Sequence, residues 1–179
     1  RAPSGSQTYP GFRVDRSDFR TVLERADLDA THCVVALPNA LHVEAVTLAL
    51  RRGLHVLCEK PLSLSAEECR TLHGEAGRCQ RLLGVNMVRR LFHSVQAASR
   101  ALAFGWVGEL TSVSIAHGGA YGWPIASLAP FLPVNGGVLA DMGAHYLDLA
   151  HMLVGPLSPR SYTDDWRGGV ESEGHFQLQ

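Results

Sequence analysis

The chain has 179 residues, of which 46% are hydrophobic and 18% charged, so it can bury a core and is neither disordered nor fibrous in composition. Its formal net charge of -1 carries no basic excess to attract nucleic acid or an anionic membrane surface. No apolar run reaches the roughly 20 residues that span a bilayer, and no signal peptide opens the sequence.

Cys33, Cys58, Cys69 and Cys79 form no CxxC pair. They are expected as reduced, mostly buried thiols of a cytoplasmic protein.

In chain order, the first dozen residues hold Pro, Gly and Ser and read as a loop. Ser17 is placed to cap a helix in which Phe19, Val22 and Leu23 recur at helical spacing. Residues 32–37 are a short β-branched-rich run, expected as a strand buried on both faces. Pro38-Asn39 breaks it, and a helix over 41–52 follows, stopped by Gly53. A second strand over 54–58 leads into Glu59-Lys60-Pro61. Ser65 and Glu68 form a capping-box signature for a helix running to about residue 78, and 82–86 is a third strand.

This rhythm predicts a doubly wound parallel α/β piece over residues 1–87. Such sheets bind ligands at the carboxyl ends of their strands, which sets Leu37-Pro38-Asn39, Glu59-Lys60-Pro61 and Asn86-Met87 on one rim. Residues 88–179 read as part of a second α/β domain. It holds a helix over 92–104, a strand with alternating Val113 and Ile115, and a long Gly/Pro/aromatic loop over 118–137 that suits a functional role. A helix over 138–154 ends at Gly155-Pro156, and after acidic, Gly-rich turns a terminal strand covers 175–179. A nucleotide-binding α/β unit opens with a strand and a turn such as GxGxxG. None occurs, so the sequence reads as an internal portion of a longer chain.

On the helix over 138–154, Asp141, His145 and Asp148 lie at i, i+4 and i+7, within about 60° of one another, beside an apolar arc that includes Val138, Met142, Tyr146 and Leu149. A carboxylate one turn from an imidazole can make it a general base, although the same spacing suits a partly solvated helix edge. His145 and His151 fall on different helix faces, and no metal site is expected. Lys60 is the only lysine, every other basic residue being arginine. That singles out a place for a compact ammonium at a strand end, unless it is an ordinary Glu-Lys surface turn.

Three strings taken together resemble the Gfo/Idh/MocA family of oxidoreductases: 36–42 (ALPNALH), 53–62 (GLHVLCEKPL) and 136–148 (GGVLADMGAHYLD). The resemblance implies a Rossmann domain, here residues 1–87, followed by an α/β domain with an open, mainly antiparallel sheet that often mediates homo-oligomer formation. It implies NAD or NADP as cofactor and a sugar- or cyclic-polyol-like alcohol as substrate. Matched position by position, Leu37, Pro38, Asn39, His42, Glu59, Lys60 and Pro61 would border the cofactor, with Lys60 also near the substrate. Asp141 would hold a substrate hydroxyl, His145 would take its proton and Asp148 would orient His145. Arg89 and Trp123 are further substrate-side candidates. An NAD-retaining glycosidase and a non-catalytic nucleotide-binding regulator are the alternatives that the same resemblance leaves open.

Overall fold

The structure is a computed structural model and describes residues 15–119, 132–165 and 170–179. Three parallel strands, β1 (His32–Val35), β2 (His55–Cys58) and β3 (Leu83–Val85), lie side by side in sequence order. Their register pairs Val35 with Cys58 and Cys58 with Val85.

Helix α1 (Phe19–Glu24) precedes the sheet, and α2 (His42–Arg51) and α3 (Ala66–Arg78) connect its strands. A short 3-10 turn over Asn39–Leu41 leads into α2. Right-handed crossovers between strands in the order β1-β2-β3 put both connecting helices on one face. The core therefore forms there, from Val35, Val56 and Cys58 of the strands against Ala45, Val46, Ala49, Leu50, Leu72 and Ala76 of the helices. This corrects the expectation of strands buried on both faces. Val34 and Leu57, which point the other way, are 69% and 42% exposed because no described element covers them.

Local chemistry explains the helix ends. Asp18, and not Ser17, caps α1: its carboxylate accepts from the Arg20 N–H at 2.9 Å, while the Ser17 N–H donates to Asp15. Gly53, at φ +86°, closes α2 with the Leu54 N–H returning to the Ala49 carbonyl at 3.0 Å. Ser65 caps α3, but Glu68 turns to the Ser63 hydroxyl instead of completing the reciprocal box.

Past the sheet come a short turn over Val88–Leu91, α4 (His93–Ala103), α5 (Ala144–Val154) and an antiparallel pair, β4 (Pro159–Asp164) with β5 (Gly174–Leu178). The helix expected over 138–154 divides. It opens as a wider π-helical turn over Leu139–Gly143 and becomes α-helical only at Ala144. The expected strand around Val113 and Ile115 is not formed. That backbone pairs with no neighbour among the described residues, and both side chains stay near half exposed, at 46% and 42%. Strand β4 escaped the sequence reading because all six of its residues are exposed, leaving no apolar alternation to detect.

All four cysteines are free, yet only Cys58 is buried, the other three being half-buried. No described helix is long and apolar enough to cross a membrane.

Candidate active site

The rim of the parallel sheet is tied together from within. At the end of β2, Glu59 donates its N–H to the Val35 carbonyl at 2.9 Å, and its carboxylate accepts from the Asn86 side-chain amide at 2.7 Å. Three strand ends are thus held in register. At the end of β1, the Asn39 amide donates to the Asn135 carbonyl at 2.7 Å, and the Ala40 N–H donates to the Asn135 side chain at 3.1 Å. Asn135 precedes Gly136, whose φ of +77° turns the chain into the π-helical segment.

His42, expected to border a cofactor, lies beneath the rim and not on its surface. Its side chain is wholly buried, with Nδ1 2.8 Å from the Pro61 carbonyl oxygen and Nε2 2.8 Å from that of Leu37. A ring packed between two backbone turns has no surface left for a ligand in the crevice.

Lys60 crosses from the sheet rim to the π-helical turn. Its ammonium donates to the Asp141 carboxylate at 2.5 Å and to the Asp141 carbonyl at 2.7 Å. The lysine side chain is 15% exposed and that of Asp141 61%. The peptide between Lys60 and Pro61 is cis. The π-helical turn changes the phase that a regular helix would keep between Asp141 and His145. Asp141 consequently lies out beside Lys60, while His145 is 7% exposed. Glu171 anchors this turn, its carboxylate accepting from the Leu139 N–H at 2.9 Å.

The Nδ1 of His145 is buried and has no hydrogen-bond partner among the described residues. Burial, together with the positive charges of Lys60 and Arg89, pushes the His145 pKa down, against an upward pull from Asp141 and Asp148.

Asp148, expected to orient His145, is held elsewhere in the structure. The Asp148 carboxylate is taken by Arg90, whose Nε donates at 2.7 Å and whose Nη2 makes a second bond. A bidentate guanidinium fork outcompetes a single imidazole N–H for a carboxylate. Arg89 donates to the Tyr146 hydroxyl at 2.6 Å and stacks its guanidinium 4.7 Å from that ring, and His117 lies 5.1 Å from the same ring.

The structure thus gathers Lys60, Asp141, His145, Asp148 and Arg89 on one side of the rim. Trp123 falls outside the described residues. Sequence reasoning missed Arg90, Asn135 and His117 as site neighbours. It placed Tyr146 only in the apolar arc. Arg90 adjoins Arg89 and could have been weighed with it, whereas nothing in the local sequence marks His117. No group of three or more His, Cys, Asp or Glu side chains suited to a metal occurs among the described residues.

A parallel sheet with tied strand ends, facing a lysine–carboxylate pair and a buried histidine, has the architecture of a dinucleotide-type α/β unit. Residues 10–87 match the model of the oxidoreductase family described as having an NAD-binding Rossmann fold. That match places residues 10–87 within the Gfo/Idh/MocA family.

The chain is 33% identical over 165 residues to a dTDP-3,4-didehydro-2,6-dideoxy-alpha-D-glucose 3-reductase of Saccharopolyspora spinosa, a match covering 90% of this chain and 48% of the relative. An inositol dehydrogenase homolog from Azotobacter vinelandii, solved with NADH and myo-inositol, superposes with a TM-score of 0.69 at 26% identity, over 90% of this chain and 45% of that one. An NAD-binding protein from Listeria innocua shares the fold, with a TM-score of 0.73 at 23% identity, over 94% of this chain and 48% of that one. The chain therefore spans about half the length of the relatives it matches.

Proposed function

We propose that this chain supplies the nicotinamide and substrate side of an NAD- or NADP-dependent dehydrogenase or reductase acting on a sugar- or cyclic-polyol-like alcohol. The observation that carries the reading is the Lys60 ammonium bonded to both oxygen types of Asp141, beside the buried Nδ1 of His145, which has no partner among the described residues. The residues present suit the nicotinamide end of a dinucleotide: Leu37 and Pro38 offer apolar and backbone surface, while Glu59 and Lys60 offer polar groups at adjacent strand ends. The sequence holds no GxGxxG, so these residues address that end and not the pyrophosphate. When bound, a nicotinamide cofactor supplies the hydride acceptor or donor.

The protein's own task is then proton handling. A substrate hydroxyl would bond to Asp141 and Lys60, with the ammonium favouring the alkoxide-like form at that oxygen. His145, kept neutral by burial, is ready to accept the hydroxyl proton. Arg89, fixed by Tyr146, would close the substrate side. Residues 1–87 serve the dinucleotide and 88–179 the substrate, and the protein forms homo-oligomers through the domain that carries β4 and β5. The inositol dehydrogenase homolog supports the polyol class through its bound myo-inositol.

In the protein carrying this chain, Lys60→Ala should lower kcat by about 10²- to 10⁴-fold, the usual contribution of a positioned acid or base. Reduction of NAD or NADP on a panel of free polyols and sugars measures it. Turnover unchanged by the substitution would overturn the role of Lys60. Net NADH formation also separates this reading from an NAD-retaining glycosidase.

A further inference from the structure

We infer that His42 is a positioning residue: by gripping the Pro61 carbonyl it sets Lys60 against Asp141. The inference rests on the reading above for what Lys60 does, but not for how Lys60 is held.

His42 opens α2, while Pro61 lies 19 residues away, immediately after Lys60. The two ring nitrogens of His42 sit 2.8 Å from two carbonyl oxygens, one on each of the turns that follow β1 and β2. Carbonyl oxygens only accept, so each contact asks a ring nitrogen to donate.

The one on Pro61 bears on the site. Pro61 is buried, so its backbone has nowhere to relax to, and the Lys60–Pro61 peptide passes any movement straight to the lysine. Lys60 in turn has two fixed acceptors on a single residue across the crevice. A displacement at Pro61 has to be absorbed by those two bonds. The turn after β1 has a second tether in the Asn39 and Ala40 bonds to Asn135, so the Leu37 contact is the less critical of the two.

Amide side chains can separate the contacts. Asparagine places its amide group near the position of Nδ1, and the longer glutamine places its amide near Nε2. His42→Asn keeps a donor for Pro61 and drops the one for Leu37, and His42→Gln does the reverse. A residue that only filled the core would lose equally in both.

Lys60 is the only lysine of this chain, and comparing the spectrum of side-chain-labelled lysine with that of Lys60→Ala assigns the resonance of its ammonium. The experiment compares native protein, H42N and H42Q by that resonance, by thermal unfolding and by kcat and KM for the cofactor. H42N should keep the native Lys60 resonance and kcat. H42Q should move the resonance toward that of free lysine and lower kcat by about 10- to 100-fold, as a misplacement near 1 Å does, with KM little changed. Equal loss in both variants, an unmoved resonance in H42Q, or failure of both to fold would overturn the inference. If Lys60→Ala leaves turnover intact, the hydride-transfer reading fails while the resonance still decides the role of His42.

Discussion

The Arg90–Asp148 pair gives a sharp test because its partners differ in exposure. Arg90, on the turn over Val88–Leu91, grips Asp148 on α5 through two bonds, with the arginine side chain 46% exposed and the aspartate 13%. Arg90→Met strands a carboxylate that water hardly reaches. A fully buried orphan charge costs about 3–5 kcal/mol, and the residual exposure brings the expected loss to about 2–3 kcal/mol. Asp148→Asn instead strands a guanidinium that is nearly half in water and can be rehydrated there. Its loss should be about 1 kcal/mol, that of one ordinary hydrogen bond.

A double-mutant cycle should return a coupling of about 2 kcal/mol, since Asp148→Asn removes the very charge that Arg90→Met strands. Urea unfolding of the four proteins measures this. With a slope near 2 kcal/mol/M, Arg90→Met should move the midpoint by about 1 M, at unchanged slope. An Asp148→Asn loss equal to or larger than that of Arg90→Met, or a coupling near zero, would refute the claim that burial of the carboxylate weights this pair.

Two further outcomes follow from the site. The His145 pKa lies below its ordinary value of 6.5 in the folded protein because the buried ring resists charging, so the unfolded chain takes up the proton first. Its contribution to stability is therefore complete above about pH 6.5 and is lost as pH falls from there toward the folded-state value. His145→Asn should flatten the change in urea midpoint between about pH 7.5 and 5.5, and an unaltered profile would refute it. Gly136→Ala should destabilise by about 1–3 kcal/mol in the same assay, since φ is +77° and the new methyl would lie 2.4 Å from the Ala140 Cβ; a loss below about 0.5 kcal/mol would show that the turn can yield.

The alternating strand–helix rhythm, with Gly53 as a helix stop and Ser65 as a cap, determined the parallel α/β piece and the common rim of its three strand ends. These are local signals, carried by residues a few positions apart. Lys60, as the lone lysine at a strand end, and the Asp141/His145/Asp148 spacing were legible for the same reason.

What each of those side chains touches was decided only by the tertiary structure. The π-helical turn that sends Asp141 to Lys60, and the arginine that takes Asp148 from His145, depend on partners 81 and 58 residues away. His42 shows the difference most plainly. Its place in the motif made it a ligand-facing residue by sequence, and burial between two carbonyls makes it part of the scaffold. A periodic pattern reports which face of an element is apolar. It carries no information about which of several nearby charged groups wins a carboxylate, because that contest is settled by distance, desolvation and bidentate geometry in the folded chain.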